Sequence, residues 1–437
     1  MTAGEMLSYQ DINDLIKKNI LIEDGNPARY RLQTKTGNLD QSEPYRKMTF
    51  GERDKNKPHK TILMVGETGT GKTKLINAMI NYMLGVQRED KVWFEITDEQ
   101  SDRTSAHSQT SRITVYGFYP QESPIHLTII DTPGYRNTRG VEKDKEIAES
   151  LLNLSKSAEG VHEIDAVCLV IMAQQNRLSD RQQYVFDAVQ SLFGRDIAEN
   201  IVLLFTHSDG ARPKNVLKAV KEAKIKCAVN DKKKPVFFLF DNCQGETFHE
   251  EFQMVQEHSW NLSFKGMTGF FKFLDNIKPK SLKMTQYVLQ NRKHLEANIS
   301  NLQSCVQKTE LKQNEFKQTQ EALKQNKKRT YENLLKDYDG KIGDDVSFVK
   351  KLEEELQELE KEKIKLVFEA FDCVETLEMI TLNTESLITL LYIDFLIEKL
   401  KEINEPEKAE ILENIKKRAG EEKHGALGFI KKIHKYF

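Results

Sequence analysis

Cysteine is scarce in this chain, charge imbalance is nearly absent, and proline all but disappears after the first two thirds. Five cysteines stand among 437 residues, at positions 168, 227, 243, 305 and 373. An odd, scattered set with no C-x-x-C pair excludes a disulfide framework and a zinc site, and fits reduced, packed thiols in a cytoplasmic protein. Lysine and arginine number 65 against 67 aspartates and glutamates. So balanced a chain has no global field to draw it onto nucleic acid, and no nucleic-acid partner is expected. No run approaches the roughly 18 apolar residues of a spanning helix. The first ten residues also lack the basic-then-apolar pattern of a secretory signal.

Nine of the ten prolines lie at or before Pro279, and Gly340 and Gly343 are the only glycines between Lys280 and Glu405. Since these two residue types interrupt helices most, the C-terminal third reads as almost pure helix. Upstream, short apolar runs alternate with helical patterns, as in a βαβ protein. The strand candidates are 61–65, 112–118, 125–130, 164–173, 200–206 and 235–240. Helical patterns cover 72–84, 141–157, 180–193 and 214–227. Continuous Val/Ile/Leu/Phe runs are expected of parallel strands covered on both faces. Three segments are expected: an N-terminal extension over 1–60, an α/β domain over 61–279, and an all-α, partly coiled-coil region over 280–437. The first 60 residues are polar and mixed, with a short amphipathic helix over 11–20 and no motif.

Val349, Leu352, Leu356, Leu359, Lys363, Leu366, Ala370, Cys373, Leu377 and Ile380 alternate spacings of three and four. That is a heptad seam with Lys363 as its one polar interruption. Leu295, Ile299, Leu302, Val306, Thr309, Gln313, Phe316, Gln320 and Leu323 follow the same spacing less cleanly upstream, and Asp339–Asp344 between the two seams reads as a reversal. An antiparallel hairpin follows, with arms of roughly 40 residues or about 60 Å. Partner helices could dock along it, or the two arms could simply pack as ordinary long helices.

Chemistry enters at Gly66-Glu67-Thr68-Gly69-Thr70-Gly71-Lys72-Thr73, an uninterrupted G-x-x-x-x-G-K-[ST]. It follows an apolar strand and opens a helical pattern, the context that gives this motif meaning. The glycines let backbone N–H groups turn onto a β-phosphate, and the helix N-terminus adds partial positive charge. Lys72 would bridge β- and γ-phosphate oxygens, and the Thr73 hydroxyl would ligate Mg²⁺. Asp131-Thr132-Pro133-Gly134 ends a later strand, where an acidic side chain suits the outer shell of Mg²⁺ and the Gly134 N–H a γ-phosphate.

A third strand runs into Thr206-His207-Ser208-Asp209. A carboxylate there can accept both N1–H and N2–H₂ of guanine, whereas adenine would leave it unpaired. His207 offers a flat face to the base, and Asn242, after the next strand, would meet the O6 edge. An ATP-binding P-loop protein remains the reading if Thr206–Asp209 is a coincidental strand end.

In this order of elements, residues 60–245 resemble the AIG1-type (GIMAP) GTPases of the septin-like group that includes the chloroplast Toc receptors. The stretches from Ile164 to Arg177, Leu192 to Gly194 and Ile201 to Asp209 carry the resemblance most specifically. It implies a Ras-like P-loop GTPase domain, a mostly parallel sheet with helices on both faces. GTP or GDP with Mg²⁺ and a homodimer or oligomer through the nucleotide face are implied with it. Thr104, Ser105, Ser108 and Thr110 could each be the switch-I hydroxyl that meets Mg²⁺; Thr110, nearest the following strand, is the expected one, and Lys72, Thr73 and Thr110 the expected catalytic set. Tyr135 and Arg136 follow Gly134 in place of the water-orienting Gln of Ras-like enzymes, so intrinsic hydrolysis should be slow. Arg103, Arg112, Arg136 and Arg139 are candidates for an arginine acting in trans. A nucleotide-binding coiled-coil scaffold without useful turnover is the alternative.

Residues 387–403 are apolar on nearly every face, which implies burial. The last 13 residues, from Gly425, hold three lysines, no acid and several aromatics. They would suit peripheral contact with an anionic membrane, or a docked terminal helix with a solvated lysine face.

Overall fold

Alternating side chains of one strand, Ile62, Leu63, Met64 and Val65, are all at most 1 % exposed, so the sheet they belong to is covered on both faces. The computed structural model describes residues 9–37, 45–97, 113–121, 123–132, 140–157, 160–175, 186–187, 190–332, 341–383 and 387–419. Its elements begin with α1 (Tyr9–Lys18), β1 (Ile20–Glu23), β2 (Ala28–Arg31), β3 (Lys35–Thr36), β4 (Tyr45–Gly51), β5 (His59–Gly66) and α2 (Lys72–Met83). Next come β6 (Val92–Glu95), β7 (Ile113–Tyr119), β8 (His126–Asp131), α3 (Gly140–Lys156), β9 (Glu163–Ile164), β10 (Ala166–Met172) and β11 (Ile201–Thr206). Then follow α4 (Lys214–Glu222), β12 (Phe237–Leu239), α5 (Gln253–Asn276) and β13 (Lys280–Ser281). The helices α6 (Lys283–Glu332), α7 (Lys341–Ile380), α8 (Leu387–Glu402) and α9 (Pro406–Ala419) complete the described chain.

The main sheet has eight strands in the order β12-β11-β10-β5-β8-β7-β4-β3. From β7 to β12 this is the Ras-like strand order, with β7 antiparallel to β8 and the other four neighbouring pairs parallel. Every strand expected within 61–279 is present, and the order agrees with the expected class. Part of the expected helix over 180–193 lies outside the described residues.

The N-terminal 60 residues correct the expectation of a mere extension. Strand β4 lies parallel to β7, in register from Tyr45↔Ile113 to Gly51↔Tyr119. Its Phe50 stacks on Phe118 at 5.4 Å between ring centroids. Gly51 ends the strand with φ +76°, and a Cβ there would stand 2.1 Å from the Tyr119 carbonyl oxygen, so the position requires glycine. A second, three-stranded sheet, β1-β2-β6, was not anticipated either. The amphipathic helix begins two residues earlier than expected, and Ile20 starts β1 instead of ending the helix.

The described residues divide into two compact units, one reaching Leu289 and including Ile380–Leu387, the other Gln290–Met379 with the residues from Ile388 on. In the second, α6 and α7 are antiparallel, since Lys312 Nζ lies 2.8 Å from Glu355 Oε2 while Asn298 Nδ2 lies 4.0 Å from Cys373 Sγ. Leu295, Ile299 and Leu302 meet this interface buried, as do Leu352, Leu366, Ala370 and Leu377. Lys363 is paired with Glu360 at 3.0 Å and lies 3.8 Å from Glu402 of α8. The reversal expected over 339–344 is shorter on its C-terminal side, because α7 already begins at Lys341. Helix α8 buries Leu390, Ile393, Leu396 and Leu400, as its apolar circumference requires. Among the described residues no helix is long and apolar enough to cross a membrane. The C-terminal stretch read as a membrane contact lies outside the described residues.

At the N-terminal ends of the central strands, His59 of β5 pairs in register with His126 of β8. Arg53 lies 3.3 Å from His59 Nδ1 and donates to it, which leaves the proton on Nε2, 2.8 Å from Thr128 Oγ1. Burial, then the charge of Arg53, then that of His126 push the His59 pKa down to about 4. A depressed histidine favours the neutral folded state, so its stabilisation is present above the unfolded pKa of about 6.5 and is lost as pH falls towards 4. Unfolding in urea, followed by the fluorescence of Trp93 and Trp260, is expected to show stability falling between pH 6.5 and 4. His59→Gln, which keeps a donor near Thr128, is expected to flatten that dependence; an unchanged slope would contradict the assignment.

Candidate functional site

Strand β5 is the central strand, and its last residue sets the loop that follows. A Cβ on Gly66 would stand 2.6 Å from the Val170 carbonyl oxygen, so only glycine lets the strand pass β10 at this point. The loop then turns through Gly69 and Gly71 with φ of 86° and 82°, where L side chains are strained. Gly71 is the N-cap of α2 and accepts the first helical bond, from Leu75 N at 2.9 Å. Thr70 closes the loop, its N and Oγ1 donating to the Glu67 carbonyl at 3.2 and 2.8 Å.

Lys72 is buried at 8 % exposure. Its ammonium donates to the carbonyls of Gly66 at 2.7 Å and Glu67 at 3.3 Å, arching back over the loop. Burial lowers its pKa, and the carboxylates of Asp131 and Glu67 oppose that shift. The Thr68 hydroxyl is buried without a hydrogen-bond partner, and Thr73 is half-buried in the first turn of α2.

Asp131 ends β8 in register with Met64 and is 3 % exposed, close enough to Lys72 to act on its ionisation. Thr132 fixes that strand end, donating to the Met64 carbonyl from N at 3.2 Å and from Oγ1 at 2.9 Å. Thr110 and Gly134 lie outside the described residues, as do Arg103, Arg112, Arg136 and Arg139. The residues that are described gather at the C-terminal ends of parallel strands, where open α/β sheets bind ligands.

The end of β11 meets the phosphate loop directly. Thr206 Oγ1, fully buried, donates to the Thr70 carbonyl at 2.6 Å. His207 follows with φ 50°, and its Nε2 stands 3.4 Å from where a Gly71 Cβ would be, so the ring lies against the loop. Asp209 is exposed, its Oδ1 accepting from Ala211 N at 2.8 Å. Beyond β12, Asn242 is half-buried, with Nδ2 enclosed and without a hydrogen-bond partner. Ser208 N donates to the Phe240 carbonyl at 3.1 Å, tying the two strand ends together. Sequence reasoning did not assign Thr206 or Thr132 a role. Their position at strand ends after apolar runs was visible, but the carbonyls they reach were not.

A Ras-ordered sheet whose central strand opens into a glycine-bent loop closed by a buried lysine is a P-loop α/β domain. Residues 60–258, somewhat under half of the chain, match the model of the AIG1 family. The chain is 24 % identical over 155 residues to immune-associated nucleotide-binding protein 10 of Arabidopsis thaliana, a match covering 35 % of this chain and 29 % of that protein. It is 29 % identical over 157 residues to immune-associated nucleotide-binding protein 13 of the same plant, covering 35 % and 39 %. The chain thus spans well under two thirds of these relatives' length. Among solved structures it is similar to Toc33 of Arabidopsis thaliana in complex with Mg²⁺ and GMPPNP, at 15 % identity and a TM-score of 0.34, covering 52 % of this chain and 88 % of that one.

Thr206→Val keeps the side-chain shape and deletes the hydroxyl that reaches the phosphate loop. It leaves the buried Thr70 carbonyl short of that partner, so unfolding free energy is expected to drop by about 1–3 kcal/mol, measured by urea titration. A change within error would show that the link carries no stability.

Proposed function

We propose that this chain binds GTP and GDP with Mg²⁺ and hydrolyses GTP slowly. In this reading its GTP state dimerises across the nucleotide face and signals through the helical region. The observation that carries the reading is the meeting of the base-side strand end with the phosphate loop, Thr206 Oγ1 on the Thr70 carbonyl at 2.6 Å. One rigid corner then presents Lys72 for phosphates and His207 and Asp209 for a base.

The donor set fits the ion. Thr73 and Asp131 offer hard oxygens of the kind Mg²⁺ takes, and among the described residues no group of three His, Cys, Asp or Glu forms a cage. Such a site suits an ion held chiefly by phosphate oxygens and water. When bound, Mg²⁺ supplies charge neutralisation between β- and γ-phosphates. Lys72 exchanges its two carbonyl partners for phosphate oxygens, so its burial need not be compensated a second time. The free Asn242 Nδ2 is a donor, matched to the O6 acceptor of guanine and mismatched to the amino group of adenine. Asp209, exposed at the same end, accepts from guanine N1–H and N2–H₂.

No glutamine follows Gly134 to orient water, so turnover rests on positioning and on what a second subunit adds. Homodimerisation is the partner reading; docking of partner helices along the α6–α7 pair and membrane contact through the C-terminus are further, separable ones. Location in the cytoplasm, with or without membrane association, goes with them.

Lys72→Ala is expected to weaken GDP binding at least 100-fold in calorimetry, and unchanged affinity would remove the phosphate-site assignment. Asp209→Asn is expected to cut the GTP-over-ATP preference by about one to two orders of magnitude, the scale of hydrogen bonds to a charged group. Phosphate release per subunit is expected to climb with protein concentration. Release absent at every concentration would favour the nucleotide-binding scaffold instead.

A further inference from the structure

The loop that carries Asn242 is held from behind. Helix α5 presents Ser259, Ser263 and Gly266 on one face, at spacings of four and three. A Cβ on Gly266 would stand 2.2 Å from the Leu239 carbonyl oxygen, so glycine brings this face against the end of β12. Both serines are buried, at 3 % and 4 % exposure. Ser263 Oγ accepts from Asp241 N at 2.9 Å, and lies 2.9 Å from the Asp241 carbonyl oxygen and 3.3 Å from Asn242 Oδ1. Its single proton is shared between those two acceptors, and the backbone of Asp241 is clamped on both sides. Ser259 Oγ donates to Asp241 Oδ2 at 2.5 Å, while Gln244 Nε2 donates to the carbonyls of Asp241 at 2.9 Å and Ser259 at 3.1 Å.

We propose that Ser263, supported by Ser259, is a positioning residue for base recognition: it fixes the loop so that Asn242 presents its amide donor to the base. The inference rests on the guanine reading above and adds to it a residue that touches no ligand. Three alternatives on the molecule are weaker. The basic and histidine groups around His126 hold nothing that names a ligand. The exposed Phe252, Met254 and Val255 have nothing on them to name an occupant. In the charged groove between α6 and α7, Lys312 is already paired with Glu315 and Glu355, and nothing there names a ligand.

The geometry makes a distinctive demand. A residue acting only on Asn242 should alter binding of the base and leave binding of the phosphates alone. Removing it should also cost nothing further once Asn242 is gone.

The test uses the full chain and two probes, GDP and inorganic tripolyphosphate, measured by calorimetry, with ADP as the base control. Ser263→Ala is expected to raise the Kd for GDP about tenfold, the scale of a lost hydrogen bond to a preorganised group, with tripolyphosphate affinity changed less than twofold. In the Asn242→Ala background the same substitution is expected to add less than twofold. Equal losses for both probes, additive losses in the double variant, or no loss at all would each overturn the proposal. Ser259→Ala is expected to show the same pattern at smaller size, and carries the test if Ser263→Ala does not fold. A wild-type chain that does not prefer GDP over ADP would instead overturn the guanine reading itself, which separates the two failures.

Discussion

A buried ammonium must be met by oxygen, and the way Lys72 meets that demand organises the site around it. Its partners are the carbonyls of Gly66 and Glu67, the last residue of the central strand and the first of the loop. Those carbonyls face inward only because the chain bends through left-handed glycines before α2 begins. Any bulkier residue at Gly66 would push β5 away from β10, and with it the register that sets Asp131 beside the lysine. The charge is therefore held in place before any ligand arrives. In the proposed reading an incoming phosphate would replace existing partners of a fixed cation, so little reorganisation would be required.

Much of this was legible in the sequence because it is local. A glycine-bent loop between an apolar strand and a helix is a backbone requirement written in consecutive residues, and the fully buried strands announced themselves as unbroken apolar runs. What escaped notice depends on distant partners. Strand β4 sets Arg46 and Lys47 before Met48, its one buried residue, and so reads as polar chain. In β6, Glu95 is buried and would argue against a strand. It is tolerated because Arg29 of β2, far away in sequence, meets it at 2.6 Å. Helix α5 is interrupted by two glycines and two serines, yet these small residues are what allow it to approach β12. The clamps by Thr206 and Thr132 are invisible for the same reason, since each reaches a carbonyl far away in sequence.

The second unit shows the complementary case, in which periodicity carried the information and the exception explains itself. Lys363 interrupts the apolar seam of α7, and its side chain is 13 % exposed, between Glu360 and Glu402. A shift of α7 by one turn would move this ammonium away from Glu402 and into an apolar layer. The pairing therefore penalises wrong registers more than it adds to stability. The exposed positions of α6 and α7 are laced with i,i+3 and i,i+4 pairs, each worth only tenths of a kcal/mol. Cohesion of the unit comes from Leu302, Val367, Ala370 and the apolar circumference of α8.

The hydrogen bonds of the first unit also form one continuous path. From Ser263 it runs to Asp241, along one residue to Phe240, across to Ser208, back along β11 to Thr206, and over to Thr70 in the phosphate loop. Contiguity alone is not coupling, but here each step joins a strand end to the next through a bond that is buried or partly buried. The base loop and the phosphate loop are thus parts of one frame, not two sites that happen to be adjacent. A ligand that carries both a base and phosphates on one short tether meets both halves already aligned. Once one end is held, the other binds as an intramolecular step at high effective concentration. In the proposed reading, that is why such a frame would discriminate between bases at all. A loosely hinged base loop would let the phosphates bind tightly whatever the base, and the donor and acceptor pattern of Asn242 and Asp209 would have no effect on the result.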